Sequence, residues 1–105
     1  MVRGDVHTIT SPRRKGRVQD GARLAVVVQA DDLLGLSTIV ICPTSTAAPP
    51  ASFHPDVVVA GKQTRVMCEM VGAVDARALG DPVGHLTLDE LRAVEDGLLL
   101  LLGVR

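Results

Sequence analysis

The chain of 105 residues has no tryptophan, no tyrosine and one phenylalanine, Phe53. That scarcity weighs against recognition of RNA by bases stacked on aromatic rings, so any such binding must lean on charge and backbone contacts. Cysteine is scarce too. Cys42 and Cys68 sit in apolar runs without the close spacing or neighbouring histidines of a zinc site, and two thiols make no disulfide framework. They read as buried, reduced core residues of a cytoplasmic protein. The leucine run at 98–102 is the longest of its kind, far short of the roughly 20 apolar residues that cross a bilayer, and the first residues lack the apolar core of a signal peptide. No internal repeat and no P-loop, GxGxxG, GxSxG or HExxH motif occurs, so the common nucleotide-binding, serine-hydrolase and zinc-protease readings have no support.

What is present is a core of Val, Leu and Ala, which suits the β-branched packing of a small sheet within one domain. A net charge of -1 conceals an uneven spread. Arg3, Arg13, Arg14, Lys15 and Arg17 face only Asp5 in the first seventeen residues, whereas acids dominate the last thirty. One anion-binding face on a neutral domain is compatible with this, as are a solvated loop and a solvated helix face.

Taken in order, residues 2–9 read as a first strand in which His7 is half-exposed. Residues 11–21 are basic and rich in Gly, and are expected to form a loop suited to covering a phosphate chain. Residues 24–29 and 38–42 are near-continuous apolar strands for the middle of a sheet, the second ended by Pro43 because proline cannot donate a ladder hydrogen bond. The proline-rich stretch 47–55 is a loop, 57–59 a short strand, and 64–71 a longer one in which Glu69 must reach solvent or find a partner. Asp75 and Gly80 bracket a single helical turn, and 83–86 is a brief extended segment. The terminal helix is the best-marked element: Thr87 and Glu90 form a capping box, Leu86 and Leu91 a hydrophobic staple, and Gly103 the stop. Leu88, Leu91, Val94, Leu98 and Leu101 share a face that the remaining leucines extend, more than one small sheet can cover, so a partner or a second copy is expected.

If the two central strands pair antiparallel, Arg23 at the start of one lies at the same rim as Thr44, Ser45 and Thr46 at the end of the other. A guanidinium beside hydroxyls is suited to phosphate. The alternative is an edge arginine next to a threonine-rich turn.

Arg3-Gly4-Asp5-Val6, Gly21-Ala22-Arg23 with Val26-Val27-Val28-Gln29, the Asp31-Asp32 turn and residues 38–45 resemble, in order and spacing, the MazF/PemK-like toxin family. Gly72-Ala73-Val74-Asp75, Val83-Gly84-His85-Leu86 and Val94-Glu95-Asp96-Gly97-Leu98 extend the resemblance over nearly the whole chain. It implies a mainly β (α+β) fold, an SH3-like small antiparallel β-barrel with a short helix and a C-terminal helix, as a single domain that forms a homodimer. It implies a toxin that cleaves single-stranded RNA without metal or cofactor, and a cognate MazE-like antitoxin as partner. The family's catalytic arginine and threonine fall on Arg23 and Thr44. Arg13, Arg14, Lys15, Arg17, Gln19 and Ser45 are then candidate substrate contacts, with Glu69 and His7 the remaining candidates for proton transfer.

Departures from the family pattern are Val18 and Gln19 where many relatives have a loop carboxylate, Leu24 where they have proline, and Gly72 where they have a second arginine. These leave two alternatives: a catalytically weakened member that binds antitoxins, and a gyrase-poison-type toxin on the same fold. The second relies on a tryptophan near the end of the helix, where this chain has Leu102-Gly103-Val104.

Overall fold

The computed structural model describes residues 1–10 and 23–104. Its strands are β1 (Asp5–Ile9), β2 (Arg23–Val27), β3 (Thr38–Ser45), β4 (Asp56–Val59), β5 (Lys62–Val66), β6 (Gly72–Asp75) and β7 (Leu79–His85), followed by the helix α1 (Leu88–Leu102). All pairs are antiparallel, in the order β4-β5-β3-β2-β1-β7, with β6 also on β3. The ends of that order approach each other: a Cβ added at Gly84 of β7 would lie 3.2 Å from Val59 Cγ1 of β4. The sheet is therefore curled into a half-barrel with one C-terminal helix, the mainly β architecture expected.

Both faces of β2 and β3 are covered, which is why their sequences are apolar without a break. Val6, Val26, Cys42, Val57, Val59, Val66, Cys68, Leu86 and Val94 fill the inside of the curl. Ala25, Val27, Ile39 and Ile41 form a second cluster on the other face, with Ile9, Val74 and Leu79 against it. At the far end of this hairpin, Gln29 stands in for a ladder residue: its Oε1 accepts from Val40 N at 2.9 Å and its Nε2 donates to Leu33 O at 2.8 Å.

Several boundaries differ from expectation, for identifiable reasons. The first strand begins at Asp5, because Arg3 and Gly4 form a turn with Gly4 at φ +97°. Pro43 does not end its strand. On one edge β3 pairs with β2; on the other it pairs with β6 through Ile41 and with β5 from Thr44. Pro43 lies in the fork between β6 and β5. Its carbonyl accepts from Met67 N at 2.8 Å on that side, so its ring nitrogen faces the fork too and no bond to β2 is lost. The expected strand at 64–71 is broken, since the chain must move from the β5 position to the β6 position along that same edge. A 3₁₀ turn, Cys68–Met70, makes the step.

The turn bracketed by Asp75 is a 3₁₀ turn, Ala76–Ala78, and Asp75 does accept from Arg77 N at 2.8 Å. Gly80 belongs to β7, where it passes so close to Thr8 that an added Cβ would sit 2.3 Å from its hydroxyl. The brief segment expected at 83–86 is the end of that longer strand.

The helix carries the expected cap: Thr87 Oγ1 accepts from Glu90 N, and Thr87 N donates to Glu90 Oε1 at 2.9 Å. Gly103 stops it in the left-handed region at φ 67°. Its buried face is narrower than expected. Val94 and Gly97 are buried and Leu91 and Leu98 half-buried, but Leu88 is 64% exposed. Leu99, Leu100, Leu101, Leu102 and Val104 are exposed as well. Among the described residues no helix is long and apolar enough to cross a membrane.

Gly97 is the point of closest approach. An added Cβ would lie 2.9 Å from Cys68 Sγ and 3.4 Å from the backbone of Phe53. Gly97→Val is therefore expected to lower stability by about 2 kcal/mol through overpacking, read as a lower urea midpoint, with the exposed neighbour change Asp96→Ala as a near-neutral control.

Candidate functional site

The rim is built by β2, β3 and the β4–β5 hairpin. The β2–β3 ladder ends with Ala25 opposite Pro43. Arg23 stands two residues before Ala25, and Thr44 and Ser45 one and two after Pro43, so all three meet at one end of the ladder. From there β3 hands over to β5, with Thr44 opposite Val66, Ser45 opposite Arg65, and Arg65 opposite Asp56 of β4.

Strand alternation sorts these side chains. Thr44 follows Cys42 and Val66 toward the interior and is buried. Ser45, Arg65 and Asp56 form a row across three strands on the other face, and continuing the β2–β3 register by two residues brings Arg23 to the same row. Arg23 and Thr44 thus share a rim but leave the ladder on opposite faces, while Ser45 is the hydroxyl on the arginine's face. Ser45 Oγ accepts from Ala47 N at 3.1 Å, which caps the turn and leaves its own hydrogen to donate. Arg65 is oriented from two sides: Nη1 donates to Ala48 O at 2.9 Å and Nε lies 2.8 Å from Asp56 Oδ1. A guanidinium held this way presents a fixed charge next to Ser45.

Arg13, Arg14, Lys15, Arg17 and Gln19 lie outside the described residues. His7, buried rather than half-exposed, pairs with Ala25 in register and lies on the Arg23 face one step inward, next to Ile9, which pairs with Arg23. Its Nδ1 is 2.9 Å from Gly80 O and must donate there, and its buried Nε2 has no partner among the described residues.

Glu69 has found a partner that sequence reasoning missed. Both of its carboxylate oxygens lie 2.9 Å from His54 Nε2, while His54 Nδ1 lies 2.8 Å from Pro49 O. Carboxylate and carbonyl both accept, so His54 carries both ring protons and the pair is an imidazolium with a carboxylate. The Pro49 carbonyl and then Glu69 raise the His54 pKa, and the His54 hydrogen bond lowers that of Glu69. A carboxylate held down in this way is a weak base, so Glu69 reads as structural. No spacing rule links a histidine in a proline-rich loop to a glutamate fifteen residues on; the one available signal was that Glu69 needed a partner. Behind the pair, a hydrogen bond with Cys68 together with burial pushes the Cys42 thiol up, so it is not a nucleophile. Among the described residues no cluster of His, Cys, Asp and Glu is arranged to hold a metal.

Residues 2–102 match the model of a protein family described as PemK-like, MazF-like toxin of type II toxin-antitoxin system. A candidate toxin of Mycobacterium tuberculosis is 32% identical over 106 residues, spanning 99% of this chain and 99% of its own. Among solved structures, an endoribonuclease from a mycobacterial species in complex with its cognate antitoxin superposes with a TM-score of 0.80 at 17% identity, over 100% of this chain and 97% of that one. MazF from Deinococcus radiodurans gives 0.81 at 22% identity, over 98% and 96%. At those identities the two structures establish a shared fold.

The His54–Glu69 pair should leave a mark on stability against pH. The Glu69 contribution is present above its ordinary 4.5 and fades as pH falls through its depressed folded value; the His54 contribution is complete below its ordinary 6.5 and fades as pH rises through its raised folded value. The thermal midpoint is expected to be highest between those two values in the wild type. His54→Gln should flatten that maximum, as measured by circular dichroism melts across the range.

Proposed function

The chain belongs to the PemK-like, MazF-like toxins of type II toxin-antitoxin systems, and from that membership we propose that it is an endoribonuclease cutting single-stranded RNA without a metal. The observation that carries the reading is the rim itself, where Arg23, Thr44 and Ser45 come to one end of the β2–β3 ladder and Arg65 stands opposite Ser45.

The chemistry suits those groups. The 2′-OH of the nucleotide before the cut attacks the adjacent phosphorus and loses its proton. The bond from phosphorus to the next 5′ oxygen breaks, leaving a 2′,3′-cyclic phosphate and a 5′-OH that takes up a proton. The nucleophile is part of the substrate, so the protein's task is to stabilise charge on the two non-bridging oxygens and to hold the phosphate in line. Arg23 supplies paired donors for that charge. Ser45 donates a hydrogen bond on the same face, and Thr44 fixes the phosphate from the inner side of the rim. Arg65 adds a second positive charge, and Arg13, Arg14, Lys15, Arg17 and Gln19 bind the RNA backbone on either side of the cut.

On this reading the protein acts on messenger RNA in the cytoplasm and arrests growth. It works as a homodimer whose exposed helix leucines are covered by the second copy or by a MazE-like antitoxin. Solved MazE-MazF complexes from Deinococcus radiodurans, alike in fold, support a partner of that class.

The direct test is incubation of the purified protein with a long single-stranded RNA in excess EDTA. Discrete fragments ending in 2′,3′-cyclic phosphate are expected, and Arg23→Ala should cut about 10²- to 10³-fold more slowly, the cost of removing one preorganised donor to the transition state. Equal rates for wild type and variant would remove Arg23 from the mechanism. Intact RNA with the wild type, across substrates of varied sequence, would favour a member that only binds antitoxins.

A further inference from the structure

Two successive carbonyls of the proline-rich loop are gripped by two cations. Arg65 Nη1 donates to Ala48 O at 2.9 Å, and His54 Nδ1 lies 2.8 Å from the next carbonyl, Pro49 O. On its other side the His54 ring meets Glu69, with Nε2 2.9 Å from both carboxylate oxygens. The His54 side chain is 5% exposed, so water competes little for these bonds. Asp56 pulls on the Arg65 charge from β4, with Oδ1 2.8 Å from Nε, but that N–H makes no aligned hydrogen bond among the described residues. The aligned bond is the one to Ala48 O, which completes what Asp56 begins.

The segment between the two grips is stiff. The ring of Pro49 fixes its own φ and restricts Ala48 before it, so the two carbonyls have little freedom to turn independently. Ala48 is buried, and its N–H donates to Ser45 O at 3.4 Å. The same residue is thereby tied to the rim hydroxyl as well as to the guanidinium. Farther along, His54 N donates to Ala51 O and Phe53 O accepts from Cys68 N. The backbone around the histidine is anchored, and its ring can hold Pro49 in place.

We propose that His54 and Glu69 are positioning residues for the rim: the imidazolium, held by the carboxylate, fixes the Pro49 carbonyl and through it the Ala48 carbonyl that aims Arg65 beside Ser45. Neither residue touches the RNA. The proposal rests on the RNA-cutting reading above and deepens it by assigning what holds the second positive charge.

The proton on His54 is essential to the grip because both of its partners are acceptors. A neutral ring keeps one N–H, and the carboxylate, the stronger acceptor, retains it. Nδ1 then turns a lone pair on Pro49 O, and attraction becomes repulsion. The ionisable groups acting on the ring are Glu69 and Cys68 of the 3₁₀ turn, with Cys42 of β3 behind Cys68. Arg65 and Asp56 hold the far side of Ala48, and the helix turns Gly97, which has no side chain, toward this loop. Because Pro49 and Glu69 raise the His54 pKa, the grip is complete below the ordinary 6.5 and is lost as pH rises through the raised folded value.

The test uses the full chain in two ways. In the first, single-turnover cutting of one RNA is measured across pH with and without Arg65→Ala, because the quotient of the two rates cancels the effect of pH on the RNA itself. In the wild type the quotient should hold steady at low pH and fall about tenfold as His54 loses its proton, within the roughly hundredfold that a misplacement of about 1 Å can cost. Glu69→Gln should move the fall to lower pH, since no carboxylate favours the imidazolium, and His54→Gln should give a low quotient with no fall. A flat quotient in the wild type, or an unchanged fall in His54→Gln, would overturn the proposal. Thr87→Ala, which weakens the helix cap, should lower the melting temperature and leave the quotient as in the wild type; an equal loss there would reduce the effect to stability and overturn it too. In the second, with no RNA present, the Arg65 Nε–Hε resonance and the His54 ring resonances of the unmodified protein are followed against pH by NMR. The Arg65 signal should move with the His54 midpoint, and one that ignores that titration sinks the proposal even if a variant fails to fold. Coupled signals in a protein that cuts no RNA would support the positioning and remove the RNA-cutting reading alone.

Discussion

The fold depends on one strand having three neighbours. β3 takes β2 along one edge and divides the other between β6 and β5, and the division falls at the one residue that has no N–H to lose. A proline in a central strand is ordinarily a defect. Here it marks the place where the edge is already open, and the Met67 amide that bonds to its carbonyl draws the chain across the gap. The same fork curls the sheet and lets β4 and β7 approach. The rim is thus a consequence of how the barrel is made.

A second group of contacts ties the open side down. Cys68, at the step between β5 and β6, receives Gly97 of the helix against its sulfur, bonds through its N–H to Phe53 O, and borders Glu69. Glu69 in turn grips His54, and His54 grips Pro49. Helix, 3₁₀ turn and proline-rich loop therefore share a single small junction. That loop continues directly from Ser45, and Arg65 holds its near end through Ala48 O. The rim is fixed by bonds at both ends of a segment whose own sequence specifies no regular structure.

Much of this was legible in the sequence where the cause is local. Thr87, Glu90 and Gly103 announce the helix ends because caps are satisfied within four residues, and the unbroken apolar runs of β2 and β3 announce burial on both faces. The resemblance to a toxin family supplied the barrel, and the antiparallel pairing of β2 with β3 was enough to bring Arg23 to the rim of Thr44. What escaped is non-local. Nothing near Pro43 says that a different neighbour begins one residue later, and nothing in residues 64–71 says that the chain must change position along an edge. His54 and Glu69 meet because two separate segments converge. The face that each rim residue occupies depends on register, which a one-residue shift would reverse.

Register also bears on the chain's departures from its relatives. Gly72, where many of them carry an arginine, pairs with Ile41 of β3, four residues back along the strand from Ser45. Arg65 pairs with Ser45 itself and is braced by Asp56 and the Ala48 carbonyl. On the proposed mechanism the missing charge is therefore replaced from β5 rather than lost, and it comes with the Asp56 carboxylate that orients it. An acid beside a phosphate site is unfavourable for the phosphate by itself. Its cost is offset here because Asp56 pairs with Arg65, which holds the guanidinium in place beside Ser45.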